Sequence, residues 1–324
     1  MKVLLLIMFF SLFIFTSCAK TEDMEKDKIS YPIAETNDNT IRDTIICTFE
    51  KYMSLQPVGK YSAQGSACYG KYFIQGYNFN GYVTIYDLEE KKCLETIEVP
   101  APAPSSRTHS NTLNFGGQRY LPDDYFPLLY VSSGYTIDDI SFIYVYRLSK
   151  ELIGGEEKFS LSLVQTISLY DFGTWTEGII DAINSNLWIK CKSGNRLKYI
   201  CYNLPDISEG NVDIYSENGL RNFLVDKKPA GSRSQGHLFW NDRILLTSGV
   251  PQSGEAIAFI SINTLTGDIE YIIDLAEVGL VNPQNPKDGT FEPEGVIVYN
   301  GQLMICYRKA IYTFTIERIK KDDL

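Results

Sequence analysis

The chain has few of the residues that build metal or redox centres. Its 324 residues include two histidines, and its seven cysteines show no CxxC spacing. Structural zinc sites need closely spaced cysteine and histidine ligands, so we expect neither a metal nor another cofactor. The GxSxG, HExxH, P-loop and dinucleotide-binding signatures are also absent. Catalysis of those kinds therefore has no support in the sequence.

An excess of positive charge is missing as well. Lys and Arg number 30 against 40 Asp and Glu, which gives a net charge of −10 at pH 7. Nucleic-acid binding is dominated by cationic contacts to phosphate, so we expect no nucleic-acid partner. A negative net charge instead helps to keep an exported protein soluble.

Long hydrophobic runs are scarce, and the clearest one stands at the N-terminus. After Met1 and Lys2, an apolar stretch extends to Phe15. It follows a positive start and is too short to span a bilayer stably, which is typical of an export signal. We therefore predict a signal peptide over residues 1–17.

The end of this run resembles the lipobox of bacterial lipoproteins. It reads Phe15–Thr16–Ser17–Cys18, and the resemblance implies that Cys18 becomes the lipidated N-terminus of the mature chain. Acyl chains would then anchor the protein to a membrane. The alternative is an ordinary signal peptide with an incidental cysteine. We favour lipidation because the cysteine follows small residues at the cleavage junction.

Residues 18–43 are rich in polar and charged side chains and predict a flexible tether behind the lipidated N-terminus. The acidic residues just after Cys18 resemble the surface-export signal of lipoproteins in the Bacteroidetes. We therefore expect the protein in the cell envelope, lipid-anchored to the outer membrane and either periplasmic or surface-exposed.

The six remaining cysteines lie in apolar, strand-like runs. An even number in an exported protein permits disulfides, but the spacing lacks the density of a disulfide scaffold. We expect buried free thiols that act as small hydrophobic side chains, with a Cys191–Cys201 bridge across a hairpin as the alternative. The six are Cys47, Cys68, Cys93, Cys191, Cys201 and Cys306.

Long helical patterns are lacking, and a hairpin pattern recurs five times instead. Each copy has a polar residue, usually followed by Gly, then an apolar run, a turn and a second apolar run. Two further strand-like runs follow in several copies, such as residues 81–88 and 92–99. Four antiparallel strands in each repeat are typical of a β-propeller blade. The leading residues of the five copies are Gln64, His109, Glu177, Gln235 and Glu294.

We therefore predict an all-β fold, a five-bladed β-propeller over residues 44–324. The last repeat is one strand short, and the strand-like segment 41–49 is left over at the other end. Pairing of the N- and C-terminal strands would close the ring inside one blade and remove exposed sheet edges. A six-bladed ring is the alternative, because insertions in the second and third repeats have room for a degenerate blade. Short helices are expected only at residues 216–225 and 275–280.

The blade pattern resembles that of the plant-type glutamine cyclotransferases. Those proteins are five-bladed propellers that cyclise N-terminal glutamine, so the resemblance implies the same fold and makes the same activity a candidate. The chain as a whole also resembles propeller-domain lipoproteins of the Bacteroidetes cell envelope. The pieces that match the cyclotransferases are Ala63–Gln64–Gly65, Gln75–Gly76–Tyr77, Tyr86–Asp87–Leu88, Glu177–Gly178 and Glu294–Gly295.

The inner strands of a propeller line a central channel, so the repeat gathers its leading residues at one mouth. These residues also have a structural interpretation, since a polar side chain there can bond the neighbouring blade. The residues two positions earlier vary more in type and are better ligand candidates. The full set that we expect at the mouth is Gln64, Arg107, His109, Trp175, Glu177, Arg233, Gln235, His237, Glu292 and Glu294.

These side chains favour binding of a glycan, a peptide or another anionic small molecule. Arg107 and Arg233 offer planar forks for carboxylate or sulfate, and Trp175 offers a flat face for a sugar. The insertion at residues 116–127 either overhangs the mouth as a specificity loop or is a surface loop without a role.

Catalysis and protein binding are the alternatives. An enzyme of the glutamine-cyclotransferase-like or carbohydrate-active (hydrolase or lyase) kind would use Glu177 with Glu294 or Glu292 as an acid–base pair, with His109 as a base. In a third hypothesis the channel is inert, and the outer blade edges bind another envelope protein. We favour binding, because carboxylates are common and no catalytic signature accompanies them.

Overall fold

The structure, a computed structural model, describes residues 29–32, 44–56, 58–59, 61–78, 81–100, 109–134, 136–194, 196–225, 233–280, 284–285 and 287–319. Its regular structure is almost entirely β-strand. No helix in these ranges is long and apolar enough to cross a membrane. The helices described are single 3₁₀ turns at Ile207–Glu209, Ser216–Asn218, Pro251–Ser253 and Gly289–Phe291.

The strands are numbered in chain order. They are β1 (Ile29–Pro32), β2 (Thr44–Ser54), β3 (Ala63–Tyr69), β4 (Tyr72–Tyr77), β5 (Tyr82–Asp87), β6 (Lys92–Glu98), β7 (Ser110–Phe115), β8 (Leu129–Ser133), β9 (Ser141–Ile153), β10 (Glu156–Tyr170), β11 (Glu177–Asp181), β12 (Asn186–Ser193), β13 (Arg196–Asn203), β14 (Val212–Tyr215), β15 (Arg221–Val225), β16 (Ser234–Trp240), β17 (Arg243–Ser248), β18 (Ala258–Asn263), β19 (Ile269–Asp274), β20 (Pro293–Tyr299), β21 (Gln302–Tyr307) and β22 (Ala310–Ile319).

These strands form five sheets, and each sheet is one blade of a β-propeller. Blade 1 is β3-β4-β5-β6, blade 2 is β7-β8-β9-β10 with β14 at its outer edge, and blade 3 is β11-β12-β13-β15. Blade 4 is β16-β17-β18-β19, and blade 5 is β20-β21-β22-β2-β1. The prediction of five blades is confirmed. The insertions that left room for a sixth blade form the long β9–β10 hairpin and β14, which pairs in parallel with β10.

Blade 5 closes the ring with strands from both ends of the chain, as predicted. Strand β2 pairs antiparallel with β22 from Thr44 opposite Ile319 to Ser54 opposite Ala310. Strand β1, inside the segment expected to be a tether, adds a further edge strand along β2. The predicted signal peptide and Cys18 lie outside the described residues.

The two predicted helical pieces are wrong. Residues 216–225 form a 3₁₀ turn followed by β15, and residues 275–280 form turns. Strand β15 pairs with β13, with Val225 opposite Leu197. The open edge of blade 3 supplies hydrogen-bond partners to this segment, and such tertiary pairing overrides weak local helix propensity.

Five apolar clusters fill the five interfaces between neighbouring blades. Trp188 is the largest completely buried side chain and lies between blades 3 and 4. Near the axis the inner strands lie so close together that only glycine fits at some positions. A Cβ on Gly65 would lie 2.6 Å from the backbone oxygen of Asn111, and one on Gly236 would overlap Gly295.

The six described cysteines are free thiols. Cys191 lies opposite Lys198 and Cys201 lies opposite Trp188 in the β12–β13 pair. Because the two cysteines are displaced along the ladder, the alternative of a Cys191–Cys201 bridge is not realised.

Candidate functional site

The starts of the inner strands meet at one mouth of the channel, around a cavity of about 420 Å³. His237 and Glu294 are buried and belong to the same hydrogen-bonded groups as residues of the cavity wall. Arg107 lies outside the described residues. The predicted residues that line the cavity are Gln64, His109, Trp175, Glu177, Arg233, Gln235 and Glu292.

Glu177 is the centre of a buried cluster that joins three blades. Its Oε1 accepts hydrogen bonds from Asn111 Nδ2 at 2.6 Å and from Lys190 Nζ at 3.1 Å. Its Oε2 accepts one from Thr112 Oγ1 at 3.2 Å. The Nδ1 atom of His237 lies 2.7 Å from Oε2, close in distance but outside the alignment of an ordinary N–H···O bond. These partners come from blades 2, 3 and 4.

The surroundings of Glu177 keep its carboxylate ionised. Burial alone would raise the pKa, but the neighbouring Lys190 and His237 outweigh it and lower the pKa of Glu177 to about 2. Lys190 also donates to the backbone oxygen of Trp175 at 3.0 Å. Such a carboxylate is held in place by charge and hydrogen bonds, and it lacks the proton that a general acid needs at neutral pH.

A second buried cluster joins blades 4 and 5. Arg308 donates from Nε to Glu294 Oε1 at 2.9 Å and forms an ion pair with Glu292 through Nη2. Gln235 Nε2 donates to Glu292 Oε1 at 2.8 Å. Burial raises the pKa of Glu292, and burial together with the charge of Glu292 raises that of Glu294 further, against the attraction of Arg308. One guanidinium thus serves two carboxyls, which favours the protonated form of Glu294.

Trp175 is held in an unusual way at the mouth. Its backbone is left-handed, with a φ of 61°, and its side chain is 36% exposed. The indole meets the His109 ring edge to face at 5.7 Å, and Gly134 lies so close that a Cβ there would be 3.2 Å from the indole. A strained backbone that presents an aromatic ring to a cavity is characteristic of functional sites. Burial lowers the pKa of His109, which favours its neutral form.

The charged groups of the cavity differ in their exposure to solvent. The carboxylates of Glu177 and Glu292 are buried and paired, whereas the solvent-facing charged side chains are those of Lys192 and Arg233. The Arg233 side chain is 65% exposed and contacts Glu255 at 3.1 Å. Lys192 makes no ion pair with any residue the structure describes. The exposed charged side chains that line the cavity are therefore one lysine and one arginine, and the arginine is already paired with Glu255.

Seven further residues line the cavity that the sequence did not predict: Asn78, Asn111, Lys190, Lys192, Ser234, Val250 and Arg308. One signal was present, since Lys190 interrupts the apolar run of β12 and a lysine inside a buried strand needs a partner. Its pairing opposite Glu177 depends on the β11–β12 register. Arg308 lies in the β21–β22 turn, outside the repeated motif.

The insertion at residues 116–127 lies at the opposite rim of the propeller. It follows the end of β7, whereas the mouth is formed by the starts of the inner strands. There Arg119 Nη2 donates to the hydroxyl of Tyr69 at 2.7 Å, and Tyr69 ends β3. The interpretation of this loop as an overhang of the mouth is therefore wrong.

Comparison with known proteins finds solved structures of low similarity only. Neither a protein-family model nor a curated protein sequence matches the chain. Among solved structures, Myxococcus xanthus glutaminyl cyclase is similar with a TM-score of 0.45 and 12% identity, covering 84% of this chain and 97% of that one. The PQQ-bound aldose sugar dehydrogenase of Streptomyces coelicolor gives 0.47 and 10%, covering 84% and 98%. A GH43 glycoside hydrolase with an engineered active site gives 0.48 and 12%, covering 85% and 53%.

Proposed function

We propose that this protein is a lipid-anchored lipoprotein of the cell envelope that binds an acidic glycan at the mouth of its propeller. The observation that carries the proposal is the exposed Trp175 ring, held by a left-handed backbone against His109 at the wall of the cavity. Aromatic faces with a few convergent polar groups are typical of ligand sites. A cavity of about 420 Å³ falls in the size range of small-molecule sites.

The charge that we propose for the ligand follows from which charged side chains of the cavity are exposed and which are buried. Lys192 and Arg233 face solvent, while Glu177 and Glu292 are buried and already paired. An incoming carboxylate or sulfate would meet Lys192, which makes no ion pair with a described residue, and Arg233, whose exposed guanidinium already contacts Glu255. A guanidinium binds either group through two parallel hydrogen bonds, so the ligand would compete with Glu255 for Arg233. A neutral glycan, a peptide and another anionic small molecule are the competing ligands.

Titration with a panel of oligosaccharides tests this proposal. We expect uronate-containing or sulfated oligosaccharides to bind, and Trp175→Ala to weaken that binding by at least about tenfold through loss of the stacking face. Arg233→Ala should weaken it and reduce its salt dependence. Tyr215→Ala, at an exposed aromatic residue on the outer edge of blade 2, is the matched control and should bind like the parent. Binding that is indifferent to Trp175 would refute the mouth as the site.

The proposed anchor is tested separately. Cys18→Ser in the full chain should release the protein from membranes into the soluble fraction, because no acyl chain could then be attached. Retention of the Cys18→Ser protein on membranes would show that lipidation at this residue is not the anchor.

Catalysis is the second candidate, because two carboxyl residues, Glu177 and Glu292, line the same cavity. Two carboxyls of the cavity have pKa values pushed in opposite directions, with Glu177 lowered and Glu292 raised. Such divergence is the pattern of an acid–base pair. Turnover of a glycan or of a peptide with N-terminal glutamine, abolished by Glu292→Gln, would favour an enzyme. Binding without turnover of either substrate panel would favour the binding protein.

A further inference from the structure

The fourth strands of three blades each carry a β-bulge at an equivalent place. In each case the fourth strand has one extra residue, which lies between two positions that pair with consecutive residues of the third strand. A bulge changes the direction of the inserted side chain relative to the regular alternation of the strand, and it is a recurrent structural feature rather than a defect. The inserted residues are Leu94 in blade 1, Val164 in blade 2 and Glu270 in blade 4.

In blades 1 and 2 the surface around the bulge is apolar. Leu94 and Ile85 belong to the cluster between blades 1 and 2. Val164 and Val145 belong to the cluster between blades 2 and 3. These side chains plug the interface with the next blade. Blade 4 has Ser261 at the place of Ile85 and Val145, as the strand registers show.

At the equivalent place blade 4 has an ion pair instead of apolar side chains. Arg243, at the place of the buried Tyr72 of blade 1, donates from Nε to Glu270 Oε2 at 2.6 Å and from Nη2 to Oε1 at 3.0 Å. Ser261 Oγ donates to the same carboxylate at 3.0 Å. The side chains of Arg243 and Glu270 remain 38% and 22% exposed. In blade 4 these polar groups stand where apolar side chains fill the interface with the next blade in blades 1 and 2.

A groove of about 530 Å³ opens there, between blades 4 and 5. It lies at the rim opposite the mouth, because Trp240 ends the inner strand β16 and residues 300–301 form the β20–β21 turn. Trp240 and Tyr271 are partly exposed and contribute aromatic surface to the groove, whereas Phe314 lies buried at its floor. The Arg243–Glu270 pair lies beside them. Asn300 and Gln302 add side-chain amides. This groove shares no lining residue with the mouth.

We propose that this groove binds a neutral saccharide. A bidentate Arg–Glu pair has no net charge but keeps donors and acceptors toward solvent, so it can bond vicinal hydroxyls without being broken. A charged ligand would have to compete with the partner already in place, which disfavours both anions and cations. The aromatic side chains supply a flat apolar surface for the C–H face of a sugar ring. The groove thus differs in ligand charge from the mouth.

Saturation-transfer NMR on the folded chain tests the proposal. The probes are the methyl glycosides of glucose, galactose and mannose, together with N-acetylglucosamine, and glucuronate and glucosamine serve as charged counterparts. All are measured in the Trp175→Ala background, which removes the proposed mouth contact. We expect at least one neutral probe to bind at millimolar concentration. Trp240→Ala and Glu270→Leu should each weaken it by at least about tenfold.

Glu270→Leu restores the residue type that blades 1 and 2 carry at the bulge, so it should fill the groove while retaining the fold. Glu270→Gln keeps the size of the side chain and serves as a second variant if the leucine form fails to fold. Leu94→Val, at the equivalent bulge of blade 1, is the matched control and should bind like its parent. The proposal is overturned if no neutral probe binds, or if binding survives both Trp240→Ala and the folded Glu270 variant.

Discussion

At the scale of single residues, Glu177 shows how a polar side chain at the axis can hold a propeller together. It is completely buried, and its hydrogen-bond donors come from the inner strand of blade 2 and from Lys190 of its own blade, while His237 of blade 4 lies in close contact. A buried charge of this kind is tolerated only because every oxygen is engaged. Removing the carboxylate would leave the Lys190 ammonium without its partner in the interior.

We therefore predict that Glu177→Gln lowers the free energy of unfolding at pH 7 by roughly 3–5 kcal/mol. The pKa of Glu177 is about 2 in the folded protein against an ordinary value of 4.5. Its contribution to stability is thus present above pH 4.5 and is lost as the pH falls toward 2. Urea unfolding from pH 6 to pH 2.5 should show a flatter acid limb for the variant. An acid limb identical to that of the parent would contradict this role.

The residues that the sequence could identify are those inside the repeat. Trp175 and Arg233 stand at a fixed offset from a leading residue, and the structure brings both to the cavity wall. Lys190 and Arg308 could not be assigned, because their positions depend on strand register and on a turn outside the motif. The pattern predicted which backbone positions meet at the axis but not which side chains there neutralise one another.

At the scale of strands, the glycine after the leading polar residue shows how closely the inner strands approach one another. Gly236 of β16 lies against Gly295 of β20, and no Cβ fits between them. In the second repeat the equivalent position is Ser110, so blade 2 already accommodates a Cβ. The periodic glycine is visible in the sequence, and blade 2 is its exception.

Gly236→Ala should accordingly destabilise the protein by roughly 1–3 kcal/mol, because the added methyl overlaps backbone atoms that cannot move aside. Ser110→Ala, which leaves the Cβ in place, is its matched control and should cost less than about 1 kcal/mol. Chemical denaturation of the two variants provides the comparison. Equal stabilities would mean that the inner strands can separate, and that their crowding is not what selects glycine.

Strand prediction succeeded where alternation was strong and failed at segments whose structure is decided by a neighbour. The long hairpin of β9 and β10 and the strands of blade 4 follow from β-branched and aromatic runs. Residues 216–225 have no such pattern, and only the free edge of β13 makes their second half a strand. For the insertion at 116–127 the sequence left two alternatives open, and the direction of β7 places it at the rim opposite the mouth, which excludes an overhang of the mouth.

At the scale of the whole molecule, ring closure depends on a strand that comes from the far end of the chain. Strand β2 provides the partner for β22 over ten paired positions and buries Cys47 and Met53 against blade neighbours. Without it, β22 would present a long unpaired edge, which is a template for association with another chain. The short last repeat and the surplus N-terminal strand were enough to predict this closure from the sequence.

Two truncations separate closure from the rest of the N-terminus. Deletion of residues 1–54 removes β2, so we expect loss of at least about 3 kcal/mol from the burial of Cys47 and Met53, and association through the exposed β22 edge. Deletion of residues 1–43 removes β1 but keeps β2, and this form should stay monomeric with nearly the parent melting temperature. Light scattering and thermal melts of both forms give the answer. A monomeric 1–54 deletion of unchanged stability would show that blade 5 is complete with three strands, and that the ring does not need its N-terminal strand to close.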